Sequence, residues 1–253
     1  MIASLPMYDR PEMAGATDRF WALIRDRLRA AGHPAPDALT RLGRIEDHWT
    51  APDLILSQTC GLPYRTGLHG RVTLVGTPDY ALAGCRPGHY RSILVARLDD
   101  SRNGLAAFQD APLAYNDPGS QSGWAALANH AAELGLRLTP VLRTGSHAAS
   151  ARAVAAGTVD WAAIDAMTWR LLQRWERCTA SLRVIGATPP TPGLPLIAGP
   201  GADAGALRAA IRGAIAALAP LDRAALGLAG LVEIPAGAYL AVPVPPPPRP
   251  VLP

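Results

Sequence analysis

Asn116-Asp-Pro-Gly-Ser-Gln-Ser-Gly123 and, one helix and one strand later, Thr144-Gly-Ser-His-Ala-Ala-Ser150 are the segments whose reading decides the fold. Each follows a short apolar run and opens a helical pattern. Pro112 to Asn116 reads as a short strand, and the helix after Gly123 runs to about Leu134, where Gly135 stops it. Arg137 to Arg143 is the next strand, and Gly157 ends the helix that follows it. Val159 to Ile164 is a third strand, closing on Asp165. Strand, polar loop and helix in alternation predict an α/β fold. In open α/β sheets ligands bind outside the carboxyl ends of the strands, where these loops lie.

The same logic extends in both directions. Ile2 to Tyr8 reads as a buried strand, and Thr17 or Asp18 caps a helix with Phe20, Trp21, Ile24 and Leu28 at helical spacing, ended by Gly32. Leu54 to Ser57 is a strand that enters Gln58-Thr59-Cys60-Gly61; Arg71 to Gly76 and Tyr90 to Ala96 are two more. Beyond Asp165, Trp169, Leu172 and Trp175 mark a helix, and Leu182 to Ala187 a strand. Leu194 to Ala198 returns the chain to the first unit. Helices are expected over Ala204 to Leu218 and Leu221 to Leu228, and short strands over Leu231 to Ile234 and Tyr239 to Val242. The tail from Pro243 to Pro253 is mostly proline and is expected to be extended polyproline II.

Composition excludes several classes. The chain has 253 residues, 49% of them hydrophobic and 17% charged, enough for two lobes of about 100 to 130 residues with real cores. The net charge of +4 comes from 24 arginines and no lysine, scattered rather than clustered, so nucleic acid is not an expected partner. Lacking lysine, the chain has no P-loop, and its six histidines show no metal-ligand spacing. No stretch of about 18 apolar residues exists to span a membrane. Met1-Ile-Ala-Ser-Leu-Pro-Met-Tyr8 carries no basic region before a long apolar run, so as written it reads as cytoplasmic, and as periplasmic if a leader has been trimmed. Cys60 and Cys85 could pair in an exported protein; Cys178 is left over.

The candidate ligand residues sit at the strand ends. Ser120, Gln121, Ser122 and Gly123 open a helix whose first amides and positive dipole end suit an oxyanion, although Ser120 would equally serve as a plain N-cap. Ser146-His147 repeats the arrangement, with His147 and Ser150 on one helical face; an exposed His behind a capping Ser is the competing reading. Asp165 could accept from a ligand or cap the helix starting near Met167. Tyr8 and Tyr90 are walls of a site or core aromatics. Ser57, Gln58, Thr59 and Asn116 complete the set.

Read together, Leu5-Pro-Met-Tyr8, Leu56-Ser-Gln-Thr-Cys-Gly61, Val75-Gly-Thr-Pro78, Gly84-Cys85, Tyr90-Arg-Ser92, Ser120-Gln-Ser-Gly123, Thr144-Gly-Ser-His147 with Ser150, and Ala163-Ile-Asp165 resemble the phosphonate/phosphate substrate-binding proteins of ABC transporters. The resemblance implies a type II periplasmic-binding-protein fold: two mixed sheets flanked by helices, with hinge strands between lobes. It implies one lobe of residues 1–92 plus 196–253, and a second of 93–195. It implies that Ser120 to Gly123 and His147 hold a phosphate or phosphonate group, that Asp165 faces the far end of the ligand, and that Tyr8 and Ser57 to Thr59 contribute from the first lobe. The usual serine/threonine triplet of that helix start reads Ser-Gln-Ser here. A non-enzymatic, monomeric receptor without cofactor or metal, feeding an ABC permease by hinge closure, is the expectation. A cytoplasmic lyase on the same bilobed fold is the alternative; no G-x-S-x-G elbow supports a hydrolase.

Overall fold

Local chemistry starts the elements where the strand-end loops run out. The structure, a computed structural model, describes residues 1–249; the last four positions of the proline-rich tail, 250–253, lie outside the described residues. The chain divides into two compact units, one of Met1–His89 with Pro192–Ala241, the other of Tyr90–Thr191 joined by the tail from Val242.

In the first unit a five-stranded mixed sheet has the order Ile2–Ser4, Leu54–Gln58, Leu196–Ala198, Thr73–Asp79, Gly230–Val232. Ile2–Ser4 runs parallel to Leu54–Gln58, and the returning strand Leu196–Ala198 is antiparallel to both its neighbours. The carboxyl ends of Ile2–Ser4, Leu54–Gln58 and Thr73–Asp79 therefore share one edge. The first helix, Ala14–Ala30, buries Phe20, Trp21, Ile24 and Leu28 as the periodicity predicts. It starts earlier than the predicted cap at Thr17 or Asp18, because Pro11 opens a tight turn over Pro11–Met13 that feeds straight into it. Thr17 instead donates its hydroxyl to the Met13 carbonyl inside the helix, at 3.2 Å. Tyr239 corrects a second expectation: it lies in the helix Ala236–Leu240, not in a strand. Pro235 fixes the entry to that helix, and the Tyr239 hydroxyl is buried against Thr77 Oγ1 at 2.5 Å.

In the second unit the order is Thr139–Arg143, Pro112–Tyr115, Trp161–Asp165, Ser92–Arg97, Leu182–Ala187. The first three are parallel; Ser92–Arg97 is antiparallel to both its neighbours. Both faces are covered, which is why these strands read as continuous apolar runs. Leu113, Tyr115, Trp161 and Ala163 face one core with Phe108, Trp124 and Leu127. Ala114, Ala162 and Ile164 face the other, with Ala151, Val154, Trp169 and Leu172. The helix Ala126–Glu133, with Trp124 just ahead of it, and the helix His147–Ala155 thus lie on opposite faces of one sheet.

The described part of the tail, residues 243–249, groups with the second unit, whereas the sequence reading put it with the first. Its Pro243 and Pro246 carbonyls accept from Asn129 Nδ2 and Trp124 Nε1, each at 2.9 Å. No single helix among the described residues is long and apolar enough to cross a membrane.

Candidate oxyanion site

Three parallel strands of the second unit end on one edge, and each delivers its chain into a helix start. Ser120 caps the first, its Oγ accepting from Gly123 N at 3.0 Å. Ser146 caps the second through Ala149 N at 3.1 Å, and Asp165 the third through Thr168 N at 2.7 Å. The capping roles read from the sequence for Ser120, Ser146 and Asp165 are thus what these side chains do. Capping satisfies one orphan amide per helix; the dipole end and the other first-turn amides of each remain a place for negative charge.

The start at Ser120 is unusual. Residues Gln121–Ala125 form a π-turn, with Ala125 N bonded to Ser120 O at 3.0 Å, before the regular helix takes over. Such wide turns concentrate at functional sites, because they cost hydrogen-bond geometry that tertiary contacts must offset. Here the offsetting contacts are visible. Ser92 Oγ donates to the Ser122 carbonyl at 2.7 Å, and Thr188 Oγ1 accepts from Ser92 N at 3.0 Å. Ser122 Oγ and His147 Nε2 lie 2.9 Å apart, joining two helix starts that stand on opposite sheet faces.

The neighbouring loop is fixed as firmly. Thr144 N donates to the Tyr115 carbonyl at 2.9 Å, and Gly145 N to that of Asn116 at 2.8 Å. Thr144 Oγ1 and Ser150 Oγ are 2.6 Å apart, so Ser150 fastens this loop. Asp117 accepts from Gly119 N at 2.7 Å and pairs with Arg143 at 2.5 Å, which neutralises the arginine at that strand end. Asn116 Oδ1 is buried with no hydrogen-bond partner among the described residues and stands against Gly123. Burial pushes the His147 imidazole down to about 4, with a hydrogen bond to the backbone of Ala163 acting the other way, so the ring is neutral near pH 7.

Of the residues expected from sequence in this unit, Asn116, Ser120, Ser122, Gly123 and His147 converge, and Gln121 is buried in the same turn. Tyr90 is buried at the unit's first position. In the first unit, Ser57 is fully buried, its hydroxyl 2.7 Å from that of Ser4 on the adjacent strand. Gln58 donates to the Leu194 carbonyl at 3.3 Å and the Tyr80 hydroxyl at 3.4 Å. Thr59 Oγ1 is buried with no partner among the described residues. Tyr8 meets Tyr80 edge to face, ring centres 5.1 Å apart, beside an apolar crevice lined also by Gln58, Met13, Phe20 and Ile211.

Sequence reasoning quoted Ser92 and Thr144 within its motifs but gave neither a role, and it passed over Thr188 and Tyr80. Thr144 and Tyr80 follow strand ends and were open to the rule that found the others. Ser92 sits on an antiparallel strand and Thr188 directly follows one, where no such rule applies. Among the described residues no cluster of His, Cys, Asp or Glu could hold a metal ion, and no disulfide joins the three cysteines.

Comparison with known proteins bears on the ligand. A family model described as an ABC-transporter phosphonate periplasmic substrate-binding protein matches residues 72–236. No curated protein sequence matches the chain. Among solved structures, PhnD1 of Prochlorococcus marinus, in complex with methylphosphonate, superposes with a TM-score of 0.70 at 14% identity, covering 94% of each chain. A binding-protein component of an ABC phosphonate transporter from Pseudomonas aeruginosa gives 0.68 at 17% identity, over 94% of this chain and 82% of that one. A Xanthomonas citri protein bound to chloride gives 0.67 at 15% identity, over 94% and 92%. At these identities the likeness establishes the fold, that of the type II periplasmic binding proteins.

Proposed function

Because the chain belongs to the family of phosphonate periplasmic substrate-binding proteins of ABC transporters, we propose that the edge built from Asn116, Ser120 to Gly123 and His147 is where it takes a phosphorus oxyanion. A solute-binding protein of this family is a transport component. The finer reading is that it binds a phosphate or phosphonate group without turning it over, and hands it to an ABC permease.

One observation carries the reading: the Ser122–His147 hydrogen bond at 2.9 Å, which locks two helix starts side by side. Backbone amides and dipoles aimed at one point bind an oxyanion with little reorganisation. In the tautomer of neutral His147 whose Nε2–H donates to Ser122 Oγ, the Ser122 hydroxyl is held in place and keeps its own proton for the ligand. Asp165 and Tyr90 would act on the rest of the ligand from the same unit; Tyr8 and Ser57 to Thr59 lie in the first unit. Of these, Tyr8 and Gln58 line a crevice, whereas Ser57 and Asp165 already serve inside their own elements.

Calorimetry and thermal unfolding with methylphosphonate, phosphate, sulfate and a dicarboxylate test this directly. A ligand at 100 times its dissociation constant adds about 2.7 kcal/mol to stability. A shift with a phosphorus oxyanion that Ser122→Ala weakens about tenfold, with folding stability changed by about 1 kcal/mol or less, is the expected result. No shift with any oxyanion would end the proposal, and turnover of a bound compound would favour the lyase alternative.

A further inference from the structure

The proline-rich tail is seated with a period of three. Val242 and Pro245 are partly buried and Pro248 is buried, while Pro243, Val244, Pro246 and Pro247 are exposed. A polyproline II helix has three residues per turn, so one face of it lies against the second unit. The hydrogen bonds repeat the period: the accepting carbonyls belong to Pro243 and Pro246, one turn apart. Their donors, Asn129 and Trp124, are five residues apart on one helical segment. Five helical residues rise about 7.5 Å and three polyproline residues about 9.3 Å, a mismatch that side chains absorb. An aromatic ring donating its N–H to a proline-segment carbonyl is how proline-rich ligands are generally held.

Trp124 also belongs to the π-turn Gln121–Ala125, directly after Gly123. Its ring rests against Tyr115, centres 5.9 Å apart, and Tyr115 precedes Asn116. One indole therefore touches the tail on one side and Tyr115, which leads into Asn116, on the other.

We infer that the tail is a built-in polyproline ligand of this helix, a strap that holds the Gln121–Ala125 turn in the geometry that receives the oxyanion. The second half of this inference rests on the function proposed above. Trp124 is accordingly a positioning residue and Pro245 and Pro248 are its clamp. Without the strap, the π-turn relaxes toward regular helix and the donors at Ser122 and Gly123 lose their aim.

The test compares the wild type with a chain truncated after Val242, and with a full-length Pro245→Gly/Pro248→Gly variant in case the truncated chain does not fold. Amide hydrogen exchange of Gln121 to Ala126, read against the helix Ala204–Ala217 as internal control, is expected to rise about tenfold in both variants. Methylphosphonate affinity is expected to fall by a similar factor. A synthetic peptide spanning residues 242–249 should restore both, which general destabilisation would not allow. Wild-type exchange and wild-type affinity in the variants overturn the strap, as does a rise shared equally by the control helix. Should the wild type bind no oxyanion, the ligand reading fails on its own, and exchange alone decides: unchanged rates overturn the strap, a local rise that the peptide reverses sustains it.

Discussion

Gly123 has no room for a side chain: a Cβ there would fall 1.7 Å from Asn116 Oδ1 and 3.2 Å from His147 Cε1. Those two atoms belong to the residues that border the proposed ligand, so the clash cannot relax without moving them. Gly123→Ala is expected to weaken oxyanion binding at least about tenfold and to cost about 1–3 kcal/mol of stability, as overpacking does, measured by calorimetry and denaturant titration. His147 makes a prediction about pH. Its native pKa is pushed down to about 4 by burial, from 6.5. Between those values the unfolded chain binds the proton that the native ring refuses, so stability falls as pH drops through that window. At about 1.4 kcal/mol per pH unit of difference, the loss approaches about 3 kcal/mol by pH 4. Denaturant titrations at pH 7, 5.5 and 4.5 should show the decline, and His147→Asn should flatten it. Gly123 could be read from sequence as a close-approach glycine, but the identity of what approaches it required the fold.

At the scale of elements, the three helix starts explain how much of the site was legible. Ser120, Ser146 and Asp165 each follow an apolar run and precede a helical pattern, and local capping chemistry is all that signal needs. The π-turn left no such trace. It depends on Ser92 reaching the Ser122 carbonyl from thirty positions away, a contact with no local period. Tyr80 was hidden for a related reason. Pairing with Gly230–Val232 carries its strand on to Asp79, three residues beyond the predicted end at Gly76, so the strand-end rule was applied at the wrong place. Tyr239 was misread because a run of five apolar or small residues fits helix and strand alike until Pro235 and the Thr77 contact decide. Asp165 supplies the prediction that belongs here. It is buried and caps Thr168, so Asp165→Ala should cost about 1 kcal/mol by thermal or denaturant unfolding. If the proposed edge takes the anion, removing a carboxylate from it should leave inorganic phosphate affinity unchanged or higher. A large loss of affinity for an amine-bearing phosphonate alone would assign Asp165 to the far end of the ligand.

For the whole molecule, the surplus of arginine raises the question of what the charge does. In the second unit the arginines are largely spoken for: Arg102 pairs with Asp100 and Asp160, Arg137 with Asp110, Arg143 with Asp117 and Arg152 with Glu176. These are surface pairs, each worth about 1 kcal/mol at most and weakened by salt. Asn116, Ser120, Gln121, Ser122, Gly123 and His147, which converge at the proposed oxyanion edge, include no arginine. What remains there is hydroxyl, amide, helix dipole and a neutral imidazole, partly buried and little screened. The net charge of +4 then acts on encounter rather than on the bound state. Stopped-flow measurement of methylphosphonate binding should therefore show association slowing as sodium chloride rises from about 0.02 to 0.5 M while dissociation stays constant, with Kd changing less than about threefold. A loss nearer thirtyfold would mean that an arginine side chain holds the anion, and the helix starts at Ser120 and Ser146 would then be capped ends and nothing more.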